Sequence, residues 1–410
     1  MHHFLKMLRL PLVLGISFFD YLAFALIIPH TYSLILAGPD SLLSSVSDGA
    51  RYMILGCFLA TYYLAKVFGN PILGAISDSI SRKRVLLISF LGNCLGYALS
   101  AYAIYSTNIV YLFLGNGLAG LTGANISTID AIIADLSHQR ARARRFSYSF
   151  MTFGSAFIIG PFVSGQMFSR LQSMSEPILV IFMLSALISL VNFFMLYLFF
   201  HDVSKGLVTP KLHPHFIGRE LKAVFDQTGI LKRLLSGVFV LFLGWHFFIK
   251  FFRVFLLERM HYSIETYCNI LSYFGICCLI TQALYSVYCH RLKEGVLLKV
   301  SAPLLALAIL SLGFTTSPVS VMSAVTLFSL CYALICPSLT YVISEVGHSM
   351  THGKIMGIYQ AVQALAQVLG PALAGVTMAL HPLAPIGVSC LLIACSGFIF
   401  SRSTEAKETA

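Results

Sequence analysis

Twelve apolar runs divide this chain of 410 residues, and any fold it adopts has to accommodate them. They fall at 11–37, 52–76, 85–106, 109–134, 146–168, 177–200, 234–257, 267–289, 295–316, 319–343, 355–379 and 384–401. A bilayer crossing needs roughly 20 apolar residues in helical form, so each run is a span and the connections between them are short. Composition agrees: 58% of residues are hydrophobic and 10% charged, against ~45–50% and ~25% in soluble domains. So little charge cannot cover a water-exposed surface of this size. An ordinary soluble enzyme, a disordered chain and a secreted disulfide scaffold are excluded. Backbone groups in hydrocarbon must bond within their own segment, and the ten-residue alternation of a membrane barrel is absent. The expected fold class is therefore all-α, with twelve transmembrane helices.

The net charge of +11 invites a nucleic-acid reading, which fails once the charges are located. Basic residues cluster between the runs, at Arg82-Lys83-Arg84, at Arg140 to Arg145, from Lys205 to Arg233 and at Arg291/Lys293. With both termini inside, 21 of the 27 basic residues lie on inner segments. The outer loops hold Arg51, Arg170 and Arg259, and Lys66, Lys250 and Arg253 lie within helices, with Lys299 at the inner end of its run counted inside. The positive-inside rule then places both termini in the cytoplasm, in an inner or equivalent cytoplasmic membrane. No cleaved leader is expected, because the first run continues past the length of a signal core and contains Asp20. The ten cysteines make no metal or redox spacing and read as small hydrophobes. No metal site and no cofactor are expected, and a Walker-type phosphate loop is absent.

The polar stretch 201–232 carries Pro210, Pro214, Gly218 and three histidines, and it reads as a cytoplasmic linker between halves 1–200 and 233–410. Those halves correspond at an offset of 210 residues. Ile133-Ala134-Asp135-Leu136-Ser137-His138 falls on Ile343-Ser344-Glu345-Val346-Gly347-His348, Arg144 on Lys354, Gly160-Pro161 on Gly370-Pro371 and Gly165 on Gly375. Duplicated halves around a midplane site are the architecture of secondary transporters.

Three segments carry finer signals. Gly74-Ala75-Ile76-Ser77-Asp78-Ser79-Ile80-Ser81-Arg82-Lys83-Arg84 joins the second and third runs. It resembles the signature loop of the major facilitator superfamily, with Ser79 and Ser81 departing from the usual basic residue and glycine. The resemblance implies a gating loop that latches the two halves through Gly74, Asp78 and Arg82, with Asp130 or Asp135 as the partner of Arg82. The glycine-dense run from Gly115 to Ala124 is similar to the fourth helix of tetracycline/proton antiporters, although Asn116 stands where that branch has arginine. The fifth run, Gly154 to Gly165, is similar to the glycine-proline signature of the antiporter branch. Gly154, Gly160, Pro161 and Gly165 mark a kink and a groove against a neighbouring helix.

Charges inside the runs are functional hypotheses by default. Asp20 and Lys66 lie about 14 and 15 Å along their helices at 1.5 Å per residue, so they are expected to share a polar pocket and to serve proton coupling. His246, Lys250 and Arg253 step by four and three along one helix face. That face would receive an anionic group, unless Lys250 and Arg253 reach to the outer interface instead. On the family's arrangement, Phe24, Asn116, Asn125, Trp245 and Tyr332 join them as candidate cavity residues.

The resulting expectation is a monomeric secondary transporter, not an enzyme, working by alternating access in a lipid bilayer. Its partners would be protons and a small-molecule substrate, with no nucleic acid. Proton-coupled export of a small amphipathic compound is the leading form. A proton-coupled importer of an anionic metabolite or metal chelate, or a transport-dead membrane sensor, are the alternatives.

Overall fold

A computed structural model of the chain describes residues 2–36, 46–79, 81–123, 125, 128–129, 132–133, 139–171, 176–200, 229–288, 294–315, 317–346 and 352–408. Among these residues all regular structure is helical. The first half contains α1 (His2–Thr31), the one-turn α2 (Ser33–Leu36), α3 (Asp48–Ser79), α4 (Arg82–Tyr105), α5 (Ile109–Thr122), α6 (Gln139–Arg170) and α7 (Pro177–Phe199). The second contains α8 (Gly229–Met260), α9 (Ile264–Tyr288), α10 (Glu294–Leu312), α11 (Pro318–Val346), α12 (His352–Leu380) and α13 (Ala384–Glu408). Ten of the described helices are long and apolar enough to cross a membrane, and α5 is a shorter apolar helix. The linker stretch, including His213 and His215, lies outside the described residues.

Most helices run past the apolar stretches that announce them. The run at 146–168 becomes α6 from Gln139 to Arg170, and the run at 234–257 becomes α8 from Gly229 to Met260. Helix geometry persists through polar ends because the backbone hydrogen bonds continue whatever the side chains are. The fourth run differs in the other direction. Its regular helix stops at Thr122, where the Gly123 N–H turns back to the Gly120 carbonyl, and helix reappears at Asn125 and Thr128.

The two halves repeat one packing scheme. In the first, α1 packs on α6 and α7, while α4 packs on α5 and α7. In the second, α8 packs on α12 and α13, while α10 packs on α11 and α13. Each scheme links five helices in the same pattern, as duplicated sequence halves imply. A polar clasp recurs as well: Asn192 donates to the Ile16 carbonyl between α7 and α1, at 3.0 Å, and Ser389 donates to the Gly244 carbonyl between α13 and α8, at 2.8 Å. Large apolar side chains such as Leu95, Leu187, Leu284 and Leu307 are exposed on the outer faces, as hydrocarbon contact requires.

The chain packs as two compact units that depart from the halves at two places. Unit 1 comprises Met1–Ser44, Thr61–Pro214 and Ser263–Ser272, and unit 2 comprises Ser45–Ala60, His215–Tyr262 and Tyr273–Ala410. Chemistry explains both exchanges. In unit 1, the carboxylate of Glu265 accepts from Gln166 at 3.0 Å and from the Ser169 hydroxyl, using both oxygens. In unit 2, the Tyr52 hydroxyl donates to Glu258.

The glycine of each Gly-Pro pair sets a close helix approach. A Cβ on Gly160 would lie 2.6 Å from Ala25 Cβ on α1, and one on Gly370 would lie 2.8 Å from His246 Cβ on α8. Pro161 and Pro371 sit inside α6 and α12 without ending them. Gly160→Val and Gly370→Val should therefore each cost about 1–3 kcal/mol of stability, as overpacked sites do. Gly15→Ala and Gly387→Ala, where a Cβ meets nothing within 4 Å, should leave stability unchanged or slightly raised. Thermal unfolding of the purified protein in detergent checks the contrast.

Candidate functional site

Asp20 on α1 is 7% exposed, and both oxygens of its carboxylate are held. Asn125 Nδ2 donates to Oδ2 at 2.5 Å, and Asn93 Nδ2 on α4 donates to Oδ1 at 3.3 Å. Behind them the Thr122 hydroxyl lies 3.3 Å from Asn93 Oδ1 while also reaching the Leu118 carbonyl at 2.9 Å. The break at Gly123 matters here, because it lies between Thr122 at the end of α5 and Asn125 in the pocket. Asn93 and Asn125 are themselves buried.

Lys66 on α3 shares this pocket. Its ammonium acts electrostatically on Asp20, yet no ion pair joins them among the described residues. Instead Lys66 Nζ stands 5.8 Å from the centre of the Tyr62 ring. Tyr62 stacks on Phe24 with centroids 5.3 Å apart, and Phe24 in turn meets Phe157 at 6.4 Å. The pocket in unit 1 thus combines one acid, one base, two amides and an aromatic wall.

The candidate residues of unit 2 form a different surface. Trp245 and Tyr332 stack at 3.9 Å with planes 14° apart, and Phe274, Phe328 and Phe248 surround Trp245 at about 6 Å. His246 is buried beside Phe242 and is packed against Gly370. Lys250 is half-buried. Arg253 is 4% exposed, and its Nη1 donates to the Tyr262 carbonyl at 3.1 Å, just beyond the end of α8. A cation near a helix C-terminus is favoured by the orphan carbonyls there.

The gating-loop residues are described unevenly. Gly74 and Asp78 lie in the last turns of α3, Arg82 opens α4, and Ser81 caps that helix by accepting from the Arg84 N–H at 3.3 Å. Asp130 and Asp135 lie outside the described residues. Gly154 and Gly165 sit on α6, where a Cβ on Gly165 would lie 2.6 Å from Cys268 Cβ. Asn116 is half-buried on α5.

Sequence reasoning missed two participants. Asn93 lies eleven residues into α4, about 16 Å at 1.5 Å per residue, which is the depth of Asp20. A polar residue at matching depth in an apolar run was the available signal. Glu294 is the second: its carboxylate accepts from Tyr285 on α9 and Ser338 on α11, each at 2.6 Å, and so joins three helices.

A family model of the Major Facilitator Superfamily matches residues 12–371. The chain belongs to this superfamily. It is therefore a secondary transporter that works by alternating access, not an enzyme. It is 27% identical to a class E tetracycline resistance protein of Escherichia coli over 325 residues, 77% of this chain and 76% of that one. Among solved structures it is similar to the human organic anion transporter MFSD10, with a TM-score of 0.71 and 19% identity, covering 96% of this chain and 99% of that one. It is also similar to a D-xylose-proton symporter, with a TM-score of 0.72 and 17% identity, covering 95% and 94%. At these identities the two structural likenesses support the fold.

Removing either amide partner of Asp20 leaves a buried carboxyl short of a donor, at a cost of about 1–3 kcal/mol. Asn125→Ala and Asn93→Ala should each lower the unfolding temperature in detergent. The loss should shrink when Asp20 is already Leu, which a double-mutant cycle measures.

Proposed function

We propose that this protein is a proton-coupled transporter of a small organic anion with an apolar or aromatic body, and that Asp20 is its proton-binding group. The observation that carries this reading is a buried carboxylate held by two neutral amides rather than by a contact ion pair. An asparagine can donate to a carboxylate or, with its amide turned over, accept from a carboxylic acid, whereas arginine and lysine only donate. Asn93 and Asn125 can therefore keep Asp20 in place in both protonation states. That is what a reversible proton site inside a membrane needs.

The anionic cargo rests on Lys66, the only described basic side chain in this pocket. The aromatic body rests on Phe24 and Tyr62, stacked beside Lys66 in the same unit. The likeness to an organic anion transporter and to a proton symporter supports the same reading. Export of an amphipathic compound is the second reading, favoured by the glycine-proline helix α6 and the tetracycline resistance relative. In either case Gly74, Asp78 and Arg82 act as an inner latch, with Asp130 or Asp135 as the partner of Arg82. The protein acts as a monomer in a cytoplasmic membrane with both termini inside.

Proteoliposomes holding the full chain and a trapped pH dye test the coupling. A panel of aromatic carboxylates and tetracycline should include a compound that evokes a proton signal. Asp20→Asn should abolish that signal and all uphill accumulation while the protein still inserts. A proton signal of normal size in Asp20→Asn would refute the assignment.

A further inference from the structure

The pocket around Asp20 also decides which charge of cargo travels with the proton. We infer that Lys66 is the anion-receiving group of the transporter, and that it takes an anion only when Asp20 is protonated. The proton and the anion then occupy the pocket together and move in the same direction. This rests on Asp20 being the proton-binding group and Lys66 the basic group of its pocket, and it adds the sign of the coupling and the order in which the two are charged.

Charge neutrality in a low-dielectric site carries the inference. With Asp20 ionised, the pocket holds one negative and one positive charge and is neutral. An added carboxylate would leave it with a net negative charge away from water, which is costly unless compensated. Protonating Asp20 removes one negative charge, so Lys66 can take the incoming anion and neutrality is kept. A cationic cargo gains nothing here, because Lys66 opposes it in every state in which it is charged.

Geometry agrees with this division of labour. Both Asp20 oxygens are already occupied by Asn93 and Asn125. Lys66 makes no ion pair and no side-chain hydrogen bond among the described residues, and its ammonium stands off the Tyr62 ring at 5.8 Å. The ammonium is thus placed beside an aromatic wall, where a carboxylate on a planar apolar body would lie against Tyr62 and Phe24.

The other groups around the pair do not change the count. Among the described residues, Tyr62 and Tyr63 on α3 and Tyr97 on α4 are the further titratable groups within electrostatic reach. Phenols are neutral over the physiological range. From α6, Thr152 lies 3.3 Å from Ser17 on α1, and from α7 Asn192 donates to the Ile16 carbonyl; neither titrates.

Equilibrium dialysis of the purified full-length protein tests the inference, with benzoate, naphthoate and phenylbutyrate as probes and naphthylmethylammonium as the cationic counterpart. At least one carboxylate should bind at least about tenfold tighter near pH ~5.5 than near pH ~8, a range in which the probes stay ionised. Asp20→Asn should bind that carboxylate tightly at both pH values. Lys66→Gln should lose at least about tenfold in affinity and Lys66→Arg should restore most of it, with monodisperse elution showing that each variant is folded.

Three results overturn the inference: no carboxylate bound at the lower pH, carboxylate binding indifferent to Lys66→Gln, or the ammonium bound in preference and displaced by acid. Its failure differs from failure of the functional reading. An ammonium-selective pocket whose proton signal still vanishes in Asp20→Asn leaves Asp20 as the proton site and removes only the anion and the sign.

Discussion

Hydrocarbon offers no hydrogen bonds, and that constraint reaches from the backbone down to single side chains in this protein. Each backbone amide must find its partner one turn away, which makes every described span a helix. The same rule then applies to the side chains carried inward. Asn192 and Ser389 bond to carbonyls of the neighbouring helix, and Asp20 collects two amides from two other segments. A carboxylate so placed in water would need none of this. In lipid it organises α1, α4 and the segment after α5 around itself.

Close packing is the second consequence. Apolar burial gives little advantage over lipid contact, so helices associate where their surfaces fit and small residues let backbones approach. Gly160 against α1 and Gly370 against α8 are the duplicated expression of this. The two halves share that framework but not their chemistry. Unit 1 holds the acid, the base and the amides, whereas unit 2 offers a stacked Trp245–Tyr332 surface with phenylalanines around it. Duplication supplied the scaffold, and the side chains packed on it diverged.

How much was legible depended on whether the signal was local. Spans, their order and the repeat at 210 residues are properties of contiguous sequence, and they lead directly to the packing of α1 on α6 and of α8 on α12. Asp20 and Lys66 stood out because charge is rare in an apolar run. Asn93 stood out less, because a neutral amide in such a run is marked only by a depth that matches that of Asp20. Arg253 shows the converse. Its spacing from His246 and Lys250 suggested a common cationic face, but its guanidinium is used on the Tyr262 carbonyl at the end of the helix.

By itself the sequence determined the class of fold, the number of spans, the duplication and the membership of a transporter family, because bilayer thickness and backbone hydrogen bonding leave so few alternatives. Tertiary structure alone decided which polar residues meet. Asp20, Asn93 and Asn125 are separated by up to 105 positions in the chain, and they converge because α4 packs on α5 and the fourth helix breaks at Gly123. Glu265 and Glu294 were likewise ordinary acids at helix starts until their partners on other helices gave both oxygens of each a donor. Periodicity and charge counting read along one chain, whereas a site is made by residues that only packing brings together.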